Sequence, residues 1–157
     1  MNLKKEKIYI TKKGLEKVKK DFQNLKLLKL SKTTGEAPAF FHSDDLDSEY
    51  LILQDDLDLL EAKLFDLEHI IKNAEIINPP LRKLQDVVQV GAKILLDIDG
   101  QEDEFMILGA LEANPFLGII SNESPVGRAL LGHKKGEQII ISSPIKTHYT
   151  IKRIKYS

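Results

Sequence analysis

The chain has 157 residues, 42% apolar and 30% charged, with a formal net charge of −1. That length accommodates one domain or two small ones, and the Leu and Ile content supports a buried core rather than disorder. The absence of cysteine excludes disulfides, zinc–thiolate sites and cysteine nucleophiles; no apolar run reaches the roughly 18 residues of a membrane span, and the basic start Met1–Lys5 is followed by no apolar run of signal-peptide length. A cytoplasmic protein with no membrane partner is expected, and the whole-chain charge gives no sign of a polyanion binder.

That average hides a segregation. Residues 1–35 carry 11 lysines and three acids, a balance of +8. Residues 36–68 carry 11 acids and only Lys63, a balance of −10, and the remainder is near neutral at +1. Like-charge blocks are often disordered tails, but both blocks also hold regularly spaced apolar residues and so read as folded, solvated faces.

In chain order, Thr11 is a candidate N-cap, and Leu15, Val18, Phe22 and Leu25 follow at spacings of 3, 4 and 3. The pattern then shifts to Leu28, flanked by Leu27 and Leu30. This predicts a helix from about 12 to about 33. Gly35 and Pro38 interrupt it, so 33–43 is a kink, a loop or an irregular continuation. From Leu46 the residues Tyr50, Leu53, Leu57, Leu60, Leu64, Leu67, Ile71 and Ala74 form an unbroken 4–3 seam over about four heptads, the signature of a coiled coil. Leu51, Ile52, Leu59, Phe65 and Ile70 flank it. Asp44, Asp45 and Asp47 suit the N-terminus of this second helix, where carboxylates meet free N–H groups. Asn78-Pro79-Pro80 is expected to end it. Two helices of unlike charge with a short connection predict an antiparallel hairpin, and a helix of roughly 30 residues reaches about 45 Å, longer than a globular core needs.

After the linker at 78–82 the period changes to two. Val88, Val90, Ala92, Ile94, Leu96 and Ile98 alternate, and Asp99-Gly100 is a hairpin turn signal. Residues 105–108, 117–120, 138–141 and 148–154 read as further strands. Ser124-Pro125 begins a short helix that Gly132 stops. The fold class is therefore α+β: an antiparallel coiled-coil hairpin over 1–78 with an acidic tip near 43–50, followed by a small β-rich domain over 79–157.

Three segments carry a family resemblance. Ile10-Thr11-Lys12-Lys13-Gly14-Leu15-Glu16-Lys17-Val18 is similar to an opening Thr-x-x-Gly-x-x-Lys-Leu; Lys72-Asn73-Ala74-Glu75-Ile76-Ile77 to the end of a second helix; and the run from Ser124-Pro125 through Ala129-Leu130-Leu131-Gly132 to Gly136-Glu137 to a Ser-Pro…Ala-Leu-hydrophobic-Gly…Gly-Asp segment. Together they resemble the bacterial Gre transcript-cleavage factors (GreA/GreB) over nearly the whole chain. The tip departs from that family's Gly-Asp-Leu-x-Glu-Asn-Ala-Glu-Tyr: Asp45-Leu46 matches Asp-Leu and Glu49-Tyr50 matches Glu-Tyr, but both together require a two-residue gap. Asp47 is then the nearest acid to the family's second carboxylate.

The resemblance implies an FKBP-like β domain and a transcription elongation factor that binds bacterial RNA polymerase as a monomer. Its hairpin would enter the secondary channel, and its tip carboxylates would stimulate the polymerase's own cleavage of backtracked RNA. The chain would not be an enzyme by itself. Asp44, Asp45, Asp47 and Glu49 are the candidate catalytic residues. Asp45 and Asp47 are the candidate Mg²⁺ ligands, the ion being shared with the polymerase and none bound alone. Mg²⁺ takes hard oxygen ligands and often needs only one or two carboxylates from a protein, and a metal pair can stabilise both oxygens in phosphodiester hydrolysis. Capping of the helix is compatible with either role. Lys12, Lys19, Lys20 and Lys26 are candidate contacts to the nascent RNA 3′ end; the other reading is a solvated face balancing its acidic neighbour. Ser124, Pro125 and Arg128 are the candidate polymerase-docking residues. Phe40 and Phe41 are expected to pack onto the hairpin. His42, His69, His133 and His148 lack metal-ligand spacing, and no phosphate loop or nucleophile motif appears. Two alternatives remain open: a non-catalytic channel binder that modulates the polymerase, and, by fold analogy only, a prolyl isomerase, against which the few aromatics of the second half (Phe105, Phe116, Tyr149, Tyr156) weigh.

Overall fold

A computed structural model describes residues 6–34, 43–142 and 145–156. The elements run β1 (Ile8–Ile10), α1 (Lys12–Thr34), α2 (Ser43–Asn73), β2 (Ala74–Ile76), β3 (Lys93–Ile98), β4 (Gln101–Leu108), β5 (Ile119–Ser121), α3 (Pro125–Leu130), β6 (Gln138–Ile141) and β7 (Thr147–Lys155). They divide into two compact units, one of Leu15–Asn73 and one of Met1–Gly14 with Ala74–Ser157. Sequence patterning placed the division at 78/79. In the structure β1 pairs in parallel with β2, Ile8 opposite Ala74 and Ile10 opposite Ile76, and this pairing groups the residues before α1 and after α2 with the β-rich unit.

The helical unit is an antiparallel pair. Lys32 Nζ meets Asp56 at 3.2 Å and Lys29 Nζ meets Glu61 at 3.0 Å. Farther down, Asp21, Asn24 and Leu25 share an open groove of about 460 Å³ with Lys63, Asp66 and Leu67. Rising numbers on α1 therefore meet falling numbers on α2. The seam is used unevenly. Leu60 is buried, and Leu57, Leu64, Leu67 and Ile71 are half-buried, as are Leu15, Val18, Phe22 and Leu25 opposite them. Tyr50 and Leu53, which the heptad pattern predicts to be covered, are exposed. The cause lies in α1: continuing its 3–4 spacing past Leu25 lands on Lys29 and Lys32, not on apolar residues. Their stems lie in the seam with about two-thirds of each side chain covered, and their ammonium groups reach out to the acids of α2.

The second helix ends earlier than Pro79 and Pro80 predict. Asn73 Nδ2 donates to the His69 carbonyl at 2.9 Å, and the next three residues leave the helix to pair with β1. Ala74 is a strand residue, not the last rung of the seam.

In the β-rich unit the five-stranded sheet has the order β5-β4-β3-β7-β6. β4 and β5 are parallel; the other neighbours are antiparallel. β3 and β4 form a hairpin closed by Asp99-Gly100, whose φ values of 50° and 93° are those a two-residue turn with right-handed strand twist requires. Asp97 Oδ1 accepts from Gly100 N–H at 2.8 Å and pins the turn. Period-two alternation puts Ala92, Ile94 and Leu96 on one face, all fully buried. They pack with Val88, Ile107, Leu130, Ile139, Ile141 and Ile151 into a single core. The strand begins only at Lys93, because Gly91 takes φ 97° and turns the chain just before it. A register shift between β3 and β7 at Leu95/Leu96 makes Lys152 the extra residue, a bulge that bends the strand. The strand expected at 117–120 is displaced: Pro115–Leu117 form a single 3₁₀ turn capped by Asn114, and β5 starts at Ile119.

Candidate functional site

The acidic residues fall where the charge segregation puts them. The backbone of α2 is helical from Ser43, so Asp44, Asp45, Asp47 and Glu49 lie in its first two turns, at the end of the hairpin away from Asn73. By spacing, Asp45 and Glu49 are four residues apart and Asp44 and Asp47 three, the separations of neighbours on a helix surface. Their side chains, like Phe40, Phe41 and His42, lie outside the described residues. Behind them Tyr50, Leu51 and Ile52 are all more than half exposed.

Lys12, Lys19, Lys20 and Lys26 are exposed along α1. Lys12, Lys19 and Lys26 recur every seven residues and form one stripe; Lys20 lies off it. Lys26 Nζ sits 4.7 Å from the centre of the Phe22 ring, a cation–π contact that orients it. Lys29, three residues further along the same helix, is taken up by Glu61.

The three candidate docking residues have different surroundings. Ser124 is the N-cap of α3: its Oγ accepts from Gly127 N–H at 3.0 Å and donates to the Ser121 carbonyl at 2.7 Å. The cap works at close range because residue 127 is glycine; a Cβ there would collide with the Ser121 carbonyl. Pro125 and Arg128 are exposed, three residues apart on the outer side of this helix, while Gly127 and Leu130 are buried beneath it.

Sequence patterning missed a contact at the start of α1. Gly14 N–H donates to Thr11 Oγ1 at 3.0 Å, as the predicted N-cap requires. Glu112, in a 3₁₀ turn after β4, also accepts the Thr11 N–H at 2.8 Å and the Thr11 hydroxyl. At a separation of 101 residues no periodicity signals it.

Three ionisable groups are displaced from their ordinary range. Glu104 is held low, chiefly by its hydrogen bond from Lys93 at 3.0 Å, with Arg153 at 3.3 Å assisting. Glu137 is held low chiefly by its hydrogen bond from His133. Burial pushes Tyr156 up; its hydroxyl donates to the Val87 carbonyl and accepts from Gln89 N–H at 2.9 Å. His69 Nδ1 pairs with Asn73 at 3.2 Å. Among the described residues no three His, Asp or Glu side chains converge as a metal site would require, and no helix is long and apolar enough to cross a membrane.

Fold and site define a class of chain: a charged antiparallel helical hairpin with carboxylates at the start of its second helix, and a small five-stranded α+β unit. Comparison with known proteins narrows it. Residues 83–156 match the family described as "Transcription elongation factor, GreA/GreB, C-term". The "Transcription elongation factor GreA" of Thermomicrobium roseum is 36% identical over 144 residues, covering 89% of this chain and 91% of that one. That of Clostridium acetobutylicum is 37% identical over 143 residues, covering 88% and 90%. Among solved structures, GreA factor homolog 1 (Gfh1) of Thermus thermophilus aligns over 96% of this chain and 99% of its own at 22% identity, with a TM-score of 0.42. The chain belongs to the GreA/GreB transcription elongation factor family.

Proposed function

We propose that this chain binds bacterial RNA polymerase as a monomer and delivers the start of α2 through the secondary channel, where its carboxylates stimulate the polymerase's own cleavage of backtracked RNA. The observation that carries the reading is the pairing of a 31-residue helix with four carboxylates in its first two turns, in a chain of the GreA/GreB family. At about 1.5 Å per residue that helix is about 45 Å long, a reach that a small domain has no packing use for. The donor set fits Mg²⁺: the carboxylates offer hard oxygens, and one or two suffice when water and phosphate complete the shell. Asp45 and Asp47 would hold the ion jointly with the polymerase, and bound there it would stabilise the attacking and leaving oxygens of the phosphodiester. The chemistry stays the polymerase's, and the setting is the cytoplasm, where that enzyme works. The Lys12–Lys19–Lys26 stripe supplies point charges for the RNA 3′ segment. Pro125 and Arg128 supply the exposed part of the docking surface.

The test is a backtracked elongation complex with the cognate polymerase and Mg²⁺. Added protein should accelerate release of short 3′ RNA fragments, and Asp44→Ala, Asp45→Ala and Asp47→Ala together should abolish the gain without loss of binding. Undiminished cleavage by that variant would sink the tip mechanism. A second reading has its own observation, the two-residue departure at 45–50 from the family's tip motif. A tip two residues out of step would occupy the channel without completing the site, and slowed nucleotide addition with no RNA cleavage would establish it.

A further inference from the structure

The chain contains a single bond of the Asp-Gly or Asn-Gly kind, Asp99-Gly100, and it forms the turn between β3 and β4. Such a bond has chemistry of its own. The glycine nitrogen, giving up its proton, attacks the side-chain carboxyl carbon of the aspartate, whose hydroxyl leaves; a water is lost and a succinimide ring closes. Water then opens the ring at either carbonyl. One opening restores aspartate. The other gives isoaspartate, in which the main chain runs through the side-chain carbon atoms. Mass is unchanged, and no oxidant or cofactor is consumed. Glycine permits the attack because no Cβ shields its nitrogen. At Gly100 nothing lies within 4 Å of where a Cβ would stand, and both turn residues are exposed.

The fold holds both reacting groups. Gly100 N–H donates to Asp97 Oδ1 at 2.8 Å, and an anion at that distance disfavours the deprotonated nitrogen that makes the attack. Asp99 Oδ1 accepts from His148 N–H at 3.4 Å, and Asp99 N–H donates to the His148 carbonyl at 3.3 Å, so the carboxyl group to be attacked is drawn toward β7. We propose that Asp99 is a site of isoaspartate formation and that Asp97 restrains the reaction in the folded chain. The damage that Asp97 averts is local. Isoaspartate lengthens the main chain inside a two-residue turn, and that turn sets the pairing of Ile98 with Gln101 and with it the register of β3 on β4. This chemistry needs neither polymerase nor RNA and stands whatever the hairpin does.

The experiment follows isoaspartate at Asp99 in the full chain, kept in neutral buffer at a temperature where calorimetry finds every variant folded. Protease digestion and chromatography separate the aspartyl from the isoaspartyl peptide. Wild type, Asp97→Ala, Asp97→Asn and Lys152→Ala are compared with the wild-type chain unfolded in urea. The unfolded chain should isomerise faster than the folded one. Asp97→Ala should raise the folded rate about fivefold, the worth of one exposed hydrogen bond. Asp97→Asn, whose amide oxygen still accepts but carries no charge, should fall between. Lys152→Ala breaks the ion pair of Lys152 with Asp97 at 4.0 Å and leaves the bond to Gly100; its rate should stay within about twofold of wild type, which separates the restraint from a general loosening of the sheet. Hydrogen exchange at the Gly100 N–H should be faster in Asp97→Ala than in wild type. Folded Asp97→Ala protein that isomerises at the wild-type rate overturns the proposal, as does an equal rise in Lys152→Ala. No isoaspartate in the urea-unfolded chain would remove the site itself.

Discussion

Replacing Ser124 with alanine removes one oxygen that does two jobs. The Gly127 N–H loses its cap acceptor, while the Ser121 carbonyl loses one of two donors and keeps the Ser124 N–H at 3.1 Å. Loss of an N-cap costs about 1 kcal/mol, and the carbonyl stays paired, so Ser124→Ala should destabilise the β-rich unit by about 1 kcal/mol. For a unit of this size that lowers Tm by about 5 °C. Ser124→Thr keeps the oxygen and should recover most of the loss. Arg128→Ala, at an exposed position on the same helix, should change stability by less than about 0.5 kcal/mol while weakening polymerase binding. Calorimetry on the three variants, followed by polymerase affinity measured well below each Tm, separates the roles. If Ser124→Ala unfolds within about 2 °C of wild type yet loses polymerase binding, Ser124 acts as a contact residue and not as a cap.

The seam, the Tyr156 anchor and the Glu104 pair each make a prediction. Lys29→Leu with Lys32→Leu continues the apolar spacing of α1 at the cost of two surface ion pairs worth about 0–1 kcal/mol each; burial of two leucines outweighs that, and the helical signal should melt later, whereas an earlier melt would show that the pairs hold the hairpin. Tyr156→Phe removes the bonds to Val87 and Gln89 and should cost about 1–3 kcal/mol in urea unfolding, with a neutral result placing the hydroxyl's partners in water instead. Glu104 titrates below its ordinary range in the folded chain, so its contribution is full above that range and is lost as pH falls through the lowered value. Glu104→Gln should therefore be slightly less stable at pH 7 and show a flatter acid limb in a pH series of melts; an unchanged limb would mean that Lys93 and Arg153 do not hold it.

What was legible in the sequence divides by range. Features set within one turn of chain read correctly: Thr11 and Ser124 as caps, Asp99-Gly100 as the hairpin turn, Gln138–Ile141 as a strand, and Ala92, Ile94 and Leu96 as one buried face. Features set by a distant partner did not. Ile8–Ile10 carries too few residues for a period, and Ala74–Ile76 continues a helical pattern; each becomes a strand only because the other is beside it. Glu112 is one acid among 24 until Thr11 is placed against it. For the candidate site, the position of the acids at a helix start was legible because both capping preference and charge are local.

The coiled-coil seam shows why a clean pattern can still mislead. A heptad run reports what one helix offers, whereas burial depends on what the other returns. On α2 the seam is unbroken to Tyr50 and beyond, yet cover stops near Leu57, because the matching positions of α1 have become Lys29 and Lys32. The same two lysines draw Asp56 and Glu61 into ion pairs down the hairpin, where an α1 seam of leucines would instead have lengthened the packed stretch.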